Sequence, residues 1–273
     1  MTTLTAVPDM ERLKNGLRTT WMAGDYDRFS RFMVGSARDF YERLDVAPGT
    51  RLLDVACGGG QLSLMAARDG VQVTGVDIAP NLVARAALRA KAAGLPARFE
   101  EGDAEALRFE DGSFDAVVSL IGAMFAPRPD RVAHEFLRVC APGGTIAMAN
   151  WTSEGFVGRM FRAIAGFIAP TGMPSPLLWG NEGHVRDRFG SGVVDLNLER
   201  RQYLFDYPFP PEEVVEFFAR YYGPTHRAFA SLDDLARERL RRELIDLWSS
   251  ANRAGDGLTI VQAEYLEVIG QRR

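Results

Sequence analysis

Four side chains able to accept or donate hydrogen bonds recur through the first half of the chain: Asp54, Asp77, Asp103 and Ser119. Each ends or directly follows a short run with strand character. Three consecutive glycines, Gly58, Gly59 and Gly60, follow the first of them. A carboxylate after a second parallel strand can accept both hydroxyls of a ribose, and one after a third strand can take an amino hydrogen of adenine. Glycines let the backbone turn sharply and approach a ligand that side chains would exclude. Each feature alone is ordinary, because aspartate is common at turns and glycine serves any tight strand–helix connection. Three carboxylates at successive strand ends, beside one glycine turn, form a nucleotide-type site.

The elements that must position these residues follow from periodicity. Residues 52–55 are the apolar run of a buried parallel strand, and 61–68 are helical. Residues 71–76 form a second strand ending at Asp77, 81–93 an alanine-rich helix, and 98–101 a short third strand. A fourth strand spans 114–120, a helix 129–140 with proline in its first turn, and a fifth strand 145–150. Strands alternating with helices predict a parallel sheet with helices on both faces. Before it, 8–44 reads as two helices broken near Gly24. Beyond Trp151 come a helix (155–169), a proline-rich loop (170–180), a short helix 182–189 capped by Asn181 and a strand within 193–207. Amphipathic helices at 211–222 and 232–253 and a last strand over 258–269 complete the chain. The expected organisation is N-terminal lid helices at 1–46, a nucleotide-binding core at 47–150, a substrate cap with the sixth strand at 151–257, and the last core strand at 258–273.

Composition narrows the function classes. The chain has 273 residues, of which 47% are apolar, enough for a sizeable core. Its 32 basic and 36 acidic residues give a net charge of −4, and no basic stripe interleaves with aromatics, so nucleic acid is disfavoured as a partner. No apolar stretch reaches the length of a membrane span, and residues 1–10 lack a signal-like pattern. With two cysteines, Cys57 and Cys140, that fit reduced thiols, a cytoplasmic location is expected. Three scattered histidines and two cysteines without ligand spacing predict no metal site.

Five segments, in order and spacing, resemble class I S-adenosylmethionine-dependent methyltransferases, specifically the small-molecule group related to the ubiquinone and menaquinone biosynthesis enzymes. They are Leu-Leu-Asp-Val-Ala-Cys-Gly-Gly-Gly, Val-Thr-Gly-Val-Asp-Ile-Ala-Pro, Glu-Gly-Asp-Ala-Glu-Ala-Leu, Ser-Phe-Asp-Ala-Val-Val-Ser and Ala-Pro-Gly-Gly, which cover about residues 47–150. The resemblance implies a Rossmann-like α/β fold: a seven-stranded, mostly parallel sheet with an antiparallel last strand, helices on both faces and an α-rich cap. It implies S-adenosylmethionine as cofactor, with Gly58 and Gly60 beside the methionine moiety, Asp77 on the ribose, Asp103 on the adenine amino group and Ala104 on the ring. Ser119 and Leu120 would flank the sulfonium; Asp54, Ala56, Ile78 and Tyr26 complete the implied cofactor set. Ala56 stands where the family usually has the first glycine of its loop, and a slightly shifted turn is the expected result. Two alternatives stand beside methyl transfer. A nicotinamide oxidoreductase would need glycine at position 63, where Ser63 stands, and gives Asp103 no role. The other is a protein that binds the cofactor without catalysis.

Methyl transfer needs a base only where the acceptor must lose a proton. His134 and His184 lie on helices, and His226, in a loop between cap helices, is the candidate base, although an exposed or satisfied histidine is the ordinary reading of all three. Large apolar residues crowd the second half. Phe125, Trp151 and Trp179, on loops near the carboxyl edge of the sheet, are the pocket candidates for an apolar or aromatic small-molecule acceptor. Trp21–Tyr26 and residues 151–184 carry aromatics and glycines that would let them close over the site, and rigid packing is the alternative.

Overall fold

The structure, a computed structural model, describes residues 9–169, 172–255 and 257–273. Pro8, Pro170 and Asp256, which bound predicted elements or turns, lie outside the described residues, as do residues 1–7.

The N-terminal segment forms α1 (Met10–Met22), capped by the Asp9 carboxylate on the Arg12 N–H, then α2 (Tyr26–Phe29), a 3-10 turn (Ser30–Met33) and α3 (Val34–Arg43). The predicted second helix is therefore three pieces. The core follows as β1 (Arg51–Val55), α4 (Gln61–Arg68), β2 (Gln72–Asp77), α5 (Pro80–Ala92), β3 (Arg98–Glu101), β4 (Phe114–Leu120), α6 (Pro129–Val139) and β5 (Cys140–Trp151). Then come α7 (Phe156–Ala165), a 3-10 turn (Pro176–Gly180), α8 (Glu182–Phe189), β6 (Val193–Tyr207), α9 (Pro211–Tyr221), α10 (Gly223–Ala230), α11 (Asp234–Ala251) and β7 (Thr259–Arg272).

All seven strands make one sheet in the order β3-β2-β1-β4-β5-β7-β6. The first five strands pair in parallel, whereas β7 is antiparallel to both β5 and β6. Leu52, Leu53 and Val55 are buried, as expected of a central strand covered on both faces. The order reverses between β1 and β4, so their carboxyl ends diverge into the crevice where such sheets hold ligands.

Helix α10 replaces the predicted loop around His226. Gly-Pro at 223–224 reads as a breaker, but proline is tolerated in a first helical turn. The glycine has a packing reason instead: a Cβ at Gly223 would lie 2.1 Å from the Thr20 carbonyl oxygen, so α10 sits against α1 only because the side chain is missing.

Candidate active site

The glycine turn and Asp77 form one unit. Asp77 is 7% exposed and its two carboxylate oxygens accept the backbone N–H groups of Gly58 and Ala79, each at 2.8 Å. Burial raises its pKa, opposed by these hydrogen bonds. Asp54 lies beside it, accepting the Ser63 hydroxyl at 2.6 Å. Burial pushes the Asp54 pKa up to about 6 against the lowering effect of Ser63, and the neighbouring Asp77 charge adds to the rise. Tyr26, from α2, stands over the turn: a Cβ at Gly58 would come within 3.4 Å of its ring. Burial and the Asp77 charge push the Tyr26 phenol up to about 12, so it stays a neutral hydrogen-bond donor.

Three adjoining cavities meet here. The first is walled by Tyr26, Asp54, Ala56, Gly58, Asp77, Ile78 and Leu120. The second holds Asp103 and Ala104, and shares Ala56, Asp77 and Ile78 with the first. The third is an aromatic box that includes Trp21, Tyr26, Phe125, Trp151 and Tyr222. Asp77 thus stands where a polar cleft changes from its glycine-turn half to its Asp103 half.

Two non-glycine residues beside this cleft take left-handed backbone angles, Ala56 at φ +59° and Ile121 at φ +54°. For a β-branched residue such as Ile121 this is a strained conformation, of the kind that collects at functional sites. A Cβ on Gly122 would come 2.6 Å from the Ala56 Cβ, so the turns after β1 and β4 are pressed together. Ala56 adopts the angle a glycine would hold; the substitution is absorbed as backbone strain at that residue.

The structure brings together Tyr26, Asp54, Ala56, Gly58, Asp77, Ile78, Asp103, Ala104, Phe125 and Trp151, and four other predicted residues line none of these cavities. Gly60 caps α4 at φ +77°, and a Cβ there would meet the Ala86 Cβ at 2.9 Å and the Phe99 ring at 3.1 Å. Packing against α5 and β3 demands a glycine there. Ser119 is 1% exposed and its hydroxyl accepts the Ala123 N–H at 2.9 Å, which shapes the turn after β4. Trp179 is buried against Phe189, with the Arg188 guanidinium 4.6 Å above its ring, and borders none of these cavities. His226 lies within α10, where Nδ1 is hydrogen bonded to the Ala219 carbonyl oxygen at 2.9 Å, and borders none of them either. Gly155 and Gly180 have a packing reason for lacking a side chain: Cβ atoms there would lie 2.8 Å from Thr152 Oγ1 and 2.1 Å from the Trp151 carbonyl oxygen.

Lys14 was not anticipated. From α1 it pairs with both Asp103 and Glu105, so the helix is latched over the second cavity. Arg128 holds Glu105 from the other side at 2.7 Å. The available signal was a lysine three residues before Leu17 and seven before Trp21, on the apolar face of α1.

Residues 53–148 match the model of a methyltransferase domain family. Relatives extend the likeness to nearly the whole chain. A demethylmenaquinone methyltransferase of Thermus thermophilus is 31% identical over 245 residues, covering 86% of this chain and 97% of the relative. The chain belongs to the class I S-adenosylmethionine-dependent methyltransferases. An uncharacterised protein of Mycobacterium tuberculosis is 37% identical over 262 residues, covering 94% of each chain. The fold is shared with the YcgJ protein of Bacillus subtilis, at a TM-score of 0.61 and 18% identity over 88% of this chain and 98% of that one. Membership of this methyltransferase class accounts for the nucleotide-type cleft and for the seven-stranded sheet with its antiparallel β7. Among the described residues no helix is long and apolar enough to cross a membrane, and no group of three or more histidine, cysteine, aspartate or glutamate side chains could hold a metal ion.

Proposed function

We propose that this chain binds S-adenosylmethionine across the first two cavities and methylates an apolar or aromatic small molecule presented at the aromatic box. The observation that carries this reading is the position of Asp77, backbone-held and shared by both of those cavities. Ribose hydroxyls donate to its carboxylate, adenine lies along Ile78 and Ala104 with its amino group on Asp103, and the methionine part lies along Gly58 beside Asp54. The donor and acceptor chemistry of these residues fits the cofactor. When bound, S-adenosylmethionine supplies a methyl group already activated by its sulfonium.

The protein's share of the reaction is alignment and exclusion of water. Trp21, Phe125, Trp151 and Tyr222 offer apolar faces to the acceptor. Tyr26 and Tyr222, whose phenols burial pushes up, donate hydrogen bonds and do not take protons. Nothing in the box performs the proton abstraction assigned to His226 above. The acceptor then reacts through an atom that is already nucleophilic, such as a neutral amine or an anion formed in solution.

Calorimetry with S-adenosylhomocysteine tests the cofactor reading. Asp77→Asn replaces a double acceptor with a group that can serve only one of the two N–H groups, and affinity should fall at least about tenfold. Unchanged affinity in a folded Asp77→Asn variant would sink the assignment. Incubation with S-adenosylmethionine and a panel of aromatic and aliphatic metabolites, followed by mass spectrometry, then identifies the acceptor.

A further inference from the structure

A fourth cavity, a groove of about 720 Å³, runs between α1, α7 and α10. Its volume is that of a complete small-molecule site. The walls are mostly apolar, with Leu13 and Leu17 from α1, Phe161 and Ile164 from α7, and Ala228 from α10. It reaches the aromatic box at Trp21 and Phe125, which border both spaces and whose rings meet edge-on at 5.0 Å.

A further observation points to the charge of a ligand. At the rim stand Arg12 and Arg227, exposed and without an ion pair among the described residues, beside the single carboxylate of Asp9. Asp9 is already engaged in capping α1 through the Arg12 N–H at 3.1 Å. The rim therefore carries an excess of positive charge on a protein whose net charge is −4.

We infer that this groove binds an amphipathic carboxylate: an apolar body between α1, α7 and α10, with its anionic end at Arg12 and Arg227. The inference rests on the methyltransferase reading in one respect. The end of the ligand that lies against Trp21 and Phe125 is the end nearest the cleft and carries the acceptor atom. A guanidinium pair selects a carboxylate over an alcohol of equal length through charge-assisted hydrogen bonds.

Decanoate and decan-1-ol are the probes, titrated calorimetrically into the full chain, with S-adenosylhomocysteine titrated in parallel. Decanoate should bind, and the double variant Arg12→Gln/Arg227→Gln should weaken it by about tenfold while leaving decan-1-ol unchanged. Gly16→Phe fills the groove without threatening the fold, because Gly16 borders it and a Cβ there meets nothing within 4 Å. That variant should lose both probes, keep its affinity for S-adenosylhomocysteine and melt no lower than the parent. Equal response of the two probes to the double arginine variant would remove the anionic end from the proposal. Failure of both probes to bind the parent, or a self-association that Gly16→Phe disrupts, would overturn the site itself and identify the groove as an interface. Loss of S-adenosylhomocysteine binding in the parent would instead strike the cofactor reading and leave the decanoate result standing.

Discussion

The cleft at the strand ends and the apolar groove beside it are built by opposite means. The cleft is made by backbone at strand ends: N–H groups of Gly58 and Ala79 hold Asp77, and the turns after β1 and β4 touch at Ala56 and Gly122. The groove is made by side chains on α1, α7 and α10, which come from three distant parts of the chain. Backbone contacts leave no free volume for a substituent, whereas a helical wall has gaps between side chains. The cleft should therefore be intolerant of change and the groove permissive.

Glycine to valine at position 60 gives the largest expected effect. The new side chain carries a positive φ that a β-branched residue resists, and its Cβ would overlap Ala86 and Phe99. A loss of about 3 kcal/mol or more in urea denaturation follows. A valine variant as stable as the parent would show that α5 and β3 can retreat from the turn, and the contrast between the two regions would weaken.

The next effect is a pH dependence confined to the cleft. Burial raises the Asp54 pKa to about 6 in the folded chain, from an ordinary carboxylate value of about 4 in the unfolded one. The folded state therefore keeps its proton to higher pH, and stability contributed by this group falls as pH rises from about 4 to about 6. The fall amounts to about 2 to 3 kcal/mol. Asp54→Asn should remove that part of the slope, so its advantage over the parent grows between pH 4 and pH 7. Parallel stability curves for the two proteins across that interval would show that Asp54 is better solvated than its position indicates.

A smaller effect tests the latch that joins the two regions. Lys14 is mostly buried between Asp103 and Glu105, while Glu105 keeps Arg128 when the lysine is removed. Lys14→Met should cost about 1 kcal/mol and speed hydrogen exchange in α1 while leaving β1 protected. If α1 exchanges as slowly as before, apolar packing against α10 and not the ion pair holds it in place. Bound S-adenosylhomocysteine should protect α1 in either protein, as the lid expectation requires.

The two regions also differ in how far they could be read from the amino acids. The cleft was legible because its residues lie close in sequence to the strands that carry them. Asp54, Asp77 and Asp103 each fall at or just beyond a strand end, and those strand boundaries were predicted to within a residue or two. The glycine turn was legible as a turn, but not which glycine borders the cavity, because that depends on Phe99 and Ala86 approaching from elsewhere. Nothing local marks Trp179 as core or His226 as helical; both are settled by what packs against them. The groove was invisible for the same reason. Leu13 and Leu17 look like ordinary core residues on an amphipathic helix, and only the tertiary arrangement leaves them lining a space.

The smallest effect is an exchange of the same two residue types in the two regions. Ala56 holds a left-handed φ of +59° that disfavours any Cβ by about 1 to 2 kcal/mol. Replacing it with glycine relieves this strain but gives the unfolded chain more freedom, which offsets about 0.4 to 1 kcal/mol. The balance favours Ala56→Gly by somewhat less than about 1 kcal/mol. Gly16 presents the reverse case, a glycine inside α1 with open space where its Cβ would stand. Gly16→Ala should add about 0.5 to 1 kcal/mol through helix propensity alone. Both variants should therefore be more stable than the parent in urea, one by losing a methyl group and the other by gaining one. If Ala56→Gly is destabilising instead, contact of the Ala56 methyl group with the Gly122 backbone outweighs the strain, and the tight join between the β1 and β4 turns depends on that alanine as a packing residue.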